Sequence, residues 1–363
     1  VIIPNPQKLI KANHKMIKWG IIGPGHIARV FCNALRFSST GSAVSVASRD
    51  RDRAIDFASM FDIKSVHDGY EALLADQSID AVYIANIHPA HLEWVTNAAR
   101  AGKHILVEKP MGMNLSEVSE MISAARTNDV FLMEAFMYRC HPQIAKIAEL
   151  IQDGAVGDVR MIRSAFGYNS PYNPDSRAYS SQLGGGGIMD VGCYPASAAR
   201  RVAGAAVGQV FLNPMDVRAT GVIGESGVDY YTAAVLKFEN DIVAEVSTGV
   251  ACALHNNLEV YGTDGKLVVE NPWLPSSPCR SAQEPLPLDT KFPSAEIELY
   301  RKGEREIVVV DVDRDLFTYE ADMVAEHIGQ RQAPAMTWED SLGNIQLLDA
   351  WREQVGMVHP QYR

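Results

Sequence analysis

The sequence has few cysteines and no long run of apolar residues. The five cysteines are far apart, show no C-x-x-C pair and stand at Cys32, Cys140, Cys193, Cys252 and Cys279. This spacing predicts free thiols in a reducing compartment, so we expect a cytoplasmic protein without a bound metal. No segment approaches the roughly 20 apolar residues that a membrane helix needs, so we expect no membrane association.

Positive charge is also scarce. The chain carries 33 lysines and arginines against 44 aspartates and glutamates, a net charge of -11. A protein that binds nucleic acid needs a basic face, so nucleic acid is excluded as an expected partner. With 363 residues, 47% of them apolar, the chain is long enough for two domains that each have a core.

The chain begins with valine, and its first 15 residues show neither a long apolar core nor a twin arginine. These features are not typical of an export signal. Met16, directly before the first predicted strand, is interpreted as the native start and residues 1–15 as an added segment. A genuine N-terminal arm is the alternative interpretation.

The region 16–139 alternates short apolar runs with amphipathic stretches. The predicted strands cover 18–22, 44–47, 81–85, 104–107 and 130–133, and the predicted helices cover 27–37, 51–61, 90–101 and 115–127. Strands and helices that alternate at this spacing are typical of βαβ units. We therefore expect an α/β protein whose N-terminal domain is a doubly wound Rossmann fold with a parallel sheet.

The pattern changes after a predicted helix at 142–153. Strand-like runs then follow in series at 159–168, 233–238, 242–250, 258–262, 266–269 and 306–310. This order predicts a C-terminal α+β domain at 140–336 with a large, open, mostly antiparallel sheet. The Pro- and Ser-rich stretch 271–293 is interpreted as a surface excursion. Helices are predicted at 316–328 and 338–355, and the last, within 337–356, is expected to pack back on the Rossmann domain.

The alternation along 233–250 puts apolar residues on both faces of the predicted sheet. Helices cover one face of such a sheet, and the other face then needs a partner. We expect a homodimer or homotetramer that assembles through the open sheet.

The first predicted strand runs into Gly23-Pro24-Gly25-His26-Ile27-Ala28. In a dinucleotide fingerprint the first glycine permits a tight turn, the second lets the backbone approach the diphosphate, and the small third residue lets helix and strand pack closely. The N–H groups at the helix start would face the phosphates. We expect residues 23–27 to bind a dinucleotide; a purely structural glycine turn is the alternative.

The end of the second predicted strand indicates which dinucleotide binds. An NAD enzyme usually carries Asp or Glu there, whereas this chain has Ser48 and Arg49, followed by Arg53. Serine and arginine can bind a 2′-phosphate that a carboxylate would repel. We expect NADP rather than NAD. A solvated turn is the alternative, since Asp50 and Asp52 alternate with the arginines.

Two further strand ends are expected in the cofactor cleft, because ligands of doubly wound sheets bind at the carboxyl ends of the strands. The first supplies Ala85, Asn86, His88 and His91. No third metal ligand accompanies the two histidines, so capping or a ribose contact is the favoured interpretation. The second end supplies Glu108 and Lys109, followed by a proline that permits a cis bond. Lys109 is the candidate catalytic residue; a surface lysine in a turn is the alternative.

Four consecutive glycines, 184–187, precede Asp190 and Tyr194. Such a run predicts a loop that other groups approach closely, followed by a helix. Asp190 and Tyr194 are four residues apart and so share one helix face. An acid and a phenol placed there can hold and deprotonate an alcohol. An N-terminal charge with a buried tyrosine is the alternative.

Taken together, these motifs resemble the glucose-fructose oxidoreductase and inositol dehydrogenase family (Gfo/Idh/MocA). Segments 133–143 and 183–195 resemble most the branch of dimeric dihydrodiol dehydrogenases and NADP-dependent D-xylose dehydrogenases. The resemblance implies that Lys109 and Tyr194 are catalytic and that Asp190 positions substrate. It also implies that Arg177 lies near the nicotinamide and that Phe166 and Arg177 contact substrate. Inositol dehydrogenases carry histidine in place of Tyr194, which argues against inositol.

The expected reaction moves a hydride between nicotinamide and a hydroxyl-bearing carbon of a polyhydroxylated substrate, as in an aldose 1-dehydrogenase acting on D-xylose or D-glucose. The Lys109 cation is expected to lower the pKa of Tyr194, which would act as the general base in oxidation and acid in reduction. The alternatives are a trans-dihydrodiol dehydrogenase, an anhydrofructose-type ketosugar reductase, a glucose-fructose oxidoreductase and, outside enzymes, an NADP-sensing regulator. A regulator would not need Lys109, Asp190 and Tyr194 together.

Overall fold

The structure, a computed structural model, describes residues 16–357. The interpretation of residues 1–15 therefore concerns a segment outside the described residues. Two sheets organise the described chain, one for each expected domain.

Six parallel strands form the first sheet, in the order β3-β2-β1-β4-β5-β6. They are β1 (Ile17–Ile22), β2 (Gly41–Ser48), β3 (Ser65–Asp68), β4 (Ala81–Ile84), β5 (His104–Glu108) and β6 (Leu132–Ala135), connected by α1 (His26–Leu35), α2 (Arg51–Phe61), α3 (Tyr70–Ala75), α4 (His91–Arg100) and α5 (Leu115–Thr127). The doubly wound order confirms the expected Rossmann fold. The sequence analysis missed β3 and α3, since β3 is a four-residue edge strand whose side chains are half-buried or exposed.

Eight strands form the second sheet, in the order β14-β13-β12-β11-β7-β10-β9-β8, and only the β7–β10 pair is parallel. The strands are β7 (Val159–Gly167), β8 (Asp216–Ile223), β9 (Asp229–Lys237), β10 (Val243–Gly249), β11 (Leu258–Gly262), β12 (Gly265–Val269), β13 (Ala295–Arg301) and β14 (Glu304–Val310). The helices around it are α6 (Met137–Cys140), α7 (Pro142–Gln152), α8 (Cys193–Ala206), α9 (Leu316–His327) and α10 (Trp338–Gln354). The expected open, mostly antiparallel sheet is confirmed. β8 and β13 were missed.

One face of this second sheet carries large apolar side chains that no element of the described chain covers. Along β9, buried Ala234 and Leu236 alternate with Tyr231 and Val235, which are 45% and 48% exposed. The outward side chains of the neighbouring edge and of β14 are also apolar and exposed, among them Val222, Ile223 and Val309. Such a face suits a protein partner, and assembly through it stays a prediction.

The stretch 271–293 runs at the surface as interpreted, and many of its residues are exposed, but its packing against the first domain was not foreseen. This segment, here called the strap (residues 271–294), lies against helix α1 of the first domain. Trp273 and Cys279 are buried, and Phe292 meets Phe37 edge-to-face with ring centroids 5.0 Å apart. Proline and serine richness indicates irregular backbone, but irregular backbone can still pack when its apolar side chains find a surface.

Helix α10 contacts both domains rather than the Rossmann domain alone. Asp349 accepts a hydrogen bond from the backbone N–H of Leu115 (2.9 Å), and the Trp351 indole donates to Thr232 Oγ1 of β9 (3.0 Å). The division of the chain at 139/140 stays a prediction. Among the described residues, no helix is both long and apolar enough to cross a membrane.

Candidate active site

A cleft of about 1190 Å³ opens where the carboxyl ends of β1, β2, β4 and β5 face the second domain. This is the place where doubly wound sheets bind ligands. Every residue predicted for the site lines the cleft except His91. The lining residues that the sequence analysis predicted are Gly23, Pro24, Gly25, His26, Ile27, Ser48, Arg49, Arg53, Ala85, Asn86, His88, Glu108, Lys109, Phe166, Arg177, Asp190 and Tyr194.

The glycine loop has the geometry that a diphosphate needs. Gly23 has φ +84°, and a Cβ there would lie 3.1 Å from the backbone nitrogen of Asn86, so only glycine fits. Gly25 ends the loop before α1, and a Cβ there would meet no atom within 4 Å. Ala28 is fully buried against the sheet. The backbone therefore leaves free space at the start of α1, where a helix N-terminus attracts phosphate.

Charges at the end of β2 separate into two groups. Asp50 caps α2 by accepting from the N–H groups of Asp52 and Arg53, at 3.1 and 3.3 Å, and Arg51 pairs with Asp68. Arg49 and Arg53 instead line the cleft, and neither makes an ion pair with a carboxylate among residues 16–357. The Asp50 carboxylate, which also lines the cleft, is thus engaged by the start of α2, which leaves Arg49 and Arg53 available to an anion.

The segment after β4 supplies an amide without a hydrogen-bond partner among the described residues and two histidines whose rings contact backbone carbonyl oxygens. The side-chain amide of Asn86 is buried and finds no hydrogen-bond partner among the described residues, so a ligand could satisfy it. His88 lies beside the carbonyl oxygen of Gly184 at 3.2 Å. His91 lies behind the cleft wall, with its ring nitrogens near the carbonyl oxygens of Pro110 (3.1 Å) and Asn86 (3.2 Å).

His91 is therefore placed to hold two loops together, not to contact a cofactor, which corrects its predicted role. Burial lowers the pKa of His91 to about 4, so the ring stays neutral. Within the described part of the chain, no group of three or more His, Cys, Asp or Glu residues is arranged to hold a metal.

Lys109 directly follows β5 and lines the cleft, and its peptide bond to Pro110 is cis. Its side chain is only 12% exposed, so the alternative of a surface lysine is wrong. The ammonium donates to the carbonyl oxygen of Asp190 at 2.6 Å and lies 3.7 Å from Asp190 Oδ1. Beneath it, the buried Glu108 carboxylate accepts a hydrogen bond from the Tyr83 hydroxyl.

Asp190 is the centre of the polar cluster at this end of the cleft. Arg177 Nη1 lies 2.8 Å from Oδ1, and the Tyr168 hydroxyl donates to Oδ2. Burial would raise the pKa of Asp190, but the charges of Arg177 and Lys109 outweigh it, and the pKa lies well below its ordinary value. Asp190 is therefore ionised. Tyr168 was not foreseen, although it lies directly after the end of β7, two residues from Phe166.

Tyr194 is buried among aromatic rings at the start of α8. Phe166 lies 5.2 Å away between ring centroids, and the hydroxyl donates to Met137 Sδ at 3.4 Å. The Lys109 ammonium sits over the face of the ring, 5.0 Å from its centroid. Burial raises the pKa of Tyr194 well above its ordinary value. The expected lowering of the Tyr194 pKa is thus wrong, because burial of the phenol is the largest effect on it.

The four-glycine loop makes room for Asp229, a residue that the sequence analysis did not single out. Asp229 begins β9, is fully buried and accepts a hydrogen bond from the Ile188 N–H at 2.8 Å. A Cβ at Gly186 would collide with its Oδ1, and a Cβ at Gly187 would lie 3.0 Å from its Oδ2. The carboxylate thereby anchors the π-helical turn Ile188–Gly192 that carries Asp190.

Both halves of the chain match known family models. Residues 17–136 match the model described as "Oxidoreductase family, NAD-binding Rossmann fold", and residues 144–268 match "GFO/IDH/MocA C-terminal domain". The chain belongs to the GFO/IDH/MocA oxidoreductase family. The resemblance inferred from its motifs is confirmed, as is the expectation of an oxidoreductase.

Among curated relatives of this family member are trans-1,2-dihydrobenzene-1,2-diol dehydrogenases. The Xenopus laevis protein is 33% identical over 353 residues, which cover 94% of this chain and 99% of that protein. The Homo sapiens protein is 31% identical over 358 residues, which cover 95% and 98%.

Two solved enzymes share the fold of this family member. A 3-ketoreductase from Actinomadura kijaniata, in complex with NADP and TDP-benzene, superposes with a TM-score of 0.79 at 27% identity, covering 94% of this chain and 98% of its own. Variants of that enzyme with tyrosine changed to phenylalanine and lysine changed to alanine have also been solved. An aldose-aldose oxidoreductase from Caulobacter crescentus has a TM-score of 0.80 at 20% identity over the same shares, which shows the common fold alone.

Proposed function

We propose that the protein is an NADP-dependent dehydrogenase or reductase that transfers a hydride between the nicotinamide and a hydroxyl-bearing carbon of a sugar or sugar-like substrate. The observation that carries the proposal is one continuous cleft with two differently equipped ends. Arg49 and Arg53, which make no ion pair with a carboxylate among residues 16–357, stand at one end, and Lys109, Asp190 and Arg177 form a charged cluster at the other.

The residues of the first end fit NADP. The loop 23–27 would bind the diphosphate, Ser48, Arg49 and Arg53 the 2′-phosphate, and the open amide of Asn86 a polar group further along the cofactor. When bound, the nicotinamide supplies or accepts the hydride. Binding of NADP by the 3-ketoreductase neighbour supports this choice.

The second end fits a substrate with adjacent hydroxyl groups. Ionised Asp190 accepts hydrogen bonds, and Arg177, which is 48% exposed, donates them. Tyr168 already gives its hydrogen to Asp190, so its lone pairs are what it offers the cleft. An aldose such as D-xylose or D-glucose, with several hydroxyls in fixed relative positions, uses both donors and acceptors.

Tyr194 is proposed as the proton donor and acceptor. Its raised pKa keeps the phenol protonated, and in the reductive direction it faces an alkoxide, which is a stronger base than a phenolate. Turning away from Met137 Sδ would free its hydroxyl, since a thioether is a weak acceptor. Lys109 then orients Asp190 and the substrate hydroxyl and supplies positive charge beside the developing alkoxide.

A trans-dihydrodiol dehydrogenase is the second candidate. Apolar side chains of Met137, Phe166, Leu274 and Phe317 line the cleft, and such a wall suits a hydrocarbon ring better than a sugar. The relatives at 31–34% identity support it. A non-catalytic NADP sensor is disfavoured. Burial of the charged Lys109 and Asp190 destabilises the fold, and sensing NADP does not require these two charges. Cytoplasmic location stays a prediction.

Steady-state assays would test the proposal. D-xylose, D-glucose, an inositol, 1,5-anhydrofructose and a trans-dihydrodiol are each offered with NADP or NAD, in the direction that each substrate allows. We expect the highest kcat/KM with an aldose and NADP, and loss of turnover in Tyr194→Phe. Highest activity on the dihydrodiol would establish the second candidate. No turnover by the wild-type protein with any of these, despite NADPH binding, would contradict the enzyme proposal.

A further inference from the structure

The strap carries a cation into the cleft that the motif analysis did not assign. Arg280 ends the short 3₁₀ turn Pro278–Arg280 and lines the cleft together with the loop 23–27 of the other domain. Its charge reaches that loop: burial and, after it, the Arg280 cation lower the pKa of His26. Arg280 thus lies on the second-domain side of the space that the start of α1 leaves open.

The strap is held in place on both sides of Arg280. Before it, the Cys279 N–H donates to Asp315 Oδ2 at 3.1 Å. After it, the Asn33 amide of α1 donates to the Glu284 carbonyl oxygen at 3.2 Å and accepts from the Leu286 N–H at 3.0 Å. Arg29 of the same helix donates to Gln283 at 3.2 Å. These contacts fix the backbone position from which Arg280 enters the cleft.

Glu108 is an acidic group that feels the charge of Arg280, which lowers the Glu108 pKa against the larger raising effect of burial, but the two side chains form no ion pair. Lys109 and Arg177 are held by Asp190, and Arg49 and Arg53 stand at the end of β2. Arg280 makes no ion pair with a carboxylate among residues 16–357. The glycine loop opposite contributes backbone N–H groups but no permanent charge, because His26 titrates below its ordinary pKa. An anion bound at that loop would satisfy Arg280 as well.

We propose that Arg280 supplies, from the second domain, the cation that binds the diphosphate of the cofactor opposite the glycine loop. This inference rests on the proposed function, since it takes NADP as the occupant. It makes the strap part of the cofactor site: the Rossmann domain alone would bind the diphosphate through N–H groups, and the strap adds the charge-assisted contact.

Affinities measured by fluorescence and calorimetric titration would test the role of Arg280. NADPH contains the diphosphate, whereas adenosine 2′-monophosphate contains only the 2′-phosphate end. Arg280→Ala should weaken NADPH by about 10- to 100-fold, the loss of one charge-assisted contact, and leave adenosine 2′-monophosphate within about twofold. Arg49→Ala should weaken both. Arg100→Ala, an exposed charge on α4, should change neither.

Arg280→Gln keeps most of the side chain and separates the loss of charge from collapse of the strap. It should reproduce the NADPH defect with an unchanged melting temperature, and raising the salt concentration should weaken NADPH less than in the wild type. Wild-type NADPH affinity in both variants would overturn the inference, as would equal weakening of both ligands or a defect confined to the KM of the substrate. Failure of the proposed function is distinguishable, because it would appear in the wild-type protein itself, either as no binding of NADPH or as binding without turnover of any substrate.

Discussion

The Lys109 ammonium lies over the ring of Tyr194, 5.0 Å from its centroid, while the tyrosine hydroxyl donates its hydrogen bond to Met137 Sδ. The lysine instead donates to the carbonyl oxygen of Asp190. The two residues are therefore neighbours without forming a proton-transfer pair in this arrangement. In the proposed reaction, Lys109 would act on the substrate through Asp190, and the Tyr194 hydroxyl would act separately.

Tyr194→Phe removes only the hydroxyl, and we expect kcat to fall about 10²- to 10⁴-fold because a proton donor is lost. NADPH affinity should stay within about twofold, since the ring that packs against Phe166 remains. The measurements are steady-state kinetics and NADPH fluorescence titration. Tyr168→Phe is the matched control: it should raise KM more than it lowers kcat, since Tyr168 offers an acceptor to the substrate. The reverse pattern in the two variants would transfer the proton-donor role to Tyr168.

Arg49→Ala should weaken NADPH about 10- to 100-fold and NADH little, because only NADPH carries a 2′-phosphate. Arg51→Ala removes a neighbouring arginine that pairs with Asp68, and it should leave both affinities unchanged. Fluorescence titration of both cofactors measures the ratio. Equal weakening of NADPH and NADH by Arg49→Ala would mean that Arg49 supports the fold rather than the cofactor.

Asp229→Ala leaves the buried Ile188 N–H without its acceptor, which costs roughly 1–3 kcal/mol of unfolding free energy and frees the turn that carries Asp190. We expect a lower melting temperature and a higher substrate KM, with NADPH affinity retained. Gly186→Ala, whose Cβ collides with the same carboxylate, should give the same kinetic pattern. Asp229→Asn keeps an acceptor and should recover much of the KM. An unchanged KM in Asp229→Ala would show that the loop holds Asp190 without this anchor.

Glu134 makes the stability depend on pH. Burial raises its pKa from 4.5 to about 7, while one oxygen accepts from the Met111 N–H at 2.9 Å. The folded state thus binds this proton more tightly than the unfolded state. Its stabilising contribution is complete below about pH 4.5 and is lost as the pH rises through 7. Denaturant unfolding from pH 4.5 to 8 should show a shallower decline in Glu134→Gln than in the wild type. Parallel curves would contradict the assignment.

Val235→Glu places a charge on the exposed apolar face of the second sheet, and we expect it to dissociate a homodimer or homotetramer. Val210 is equally exposed but lies outside the strands, so Val210→Glu should leave the assembly intact. Light scattering at micromolar concentration reports the mass. A monomeric wild-type protein would contradict assembly through this face.

The sequence alone determined the features that depend on near neighbours in the chain. The period of apolar residues predicts the strands and helices of the Rossmann domain, since each residue's burial follows from its place in a βαβ unit. The glycine fingerprint and Ser48-Arg49 also predict their sites, because strand ends of a parallel sheet meet at one edge. Short edge strands such as β3 were not predicted, because a strand of half-exposed residues shows little alternation of apolar and polar side chains.

Only the tertiary structure decided which distant side chains meet and which atoms they present. Asp229 packs against the four-glycine loop 184–187 and accepts from the Ile188 N–H, 41 positions earlier in the chain. No pattern in the sequence around Asp229 predicts this contact. From the sequence the strap is predicted as an exposed loop, and only the structure shows that it packs on α1. The distance between Lys109 and the Tyr194 hydroxyl depends on how two domains pack, and a side chain's orientation there follows from the aromatic rings around it. The period of apolar residues in the sequence predicts whether a side chain is buried. The reactivity of a side chain depends on which groups surround it, and those come from distant parts of the chain.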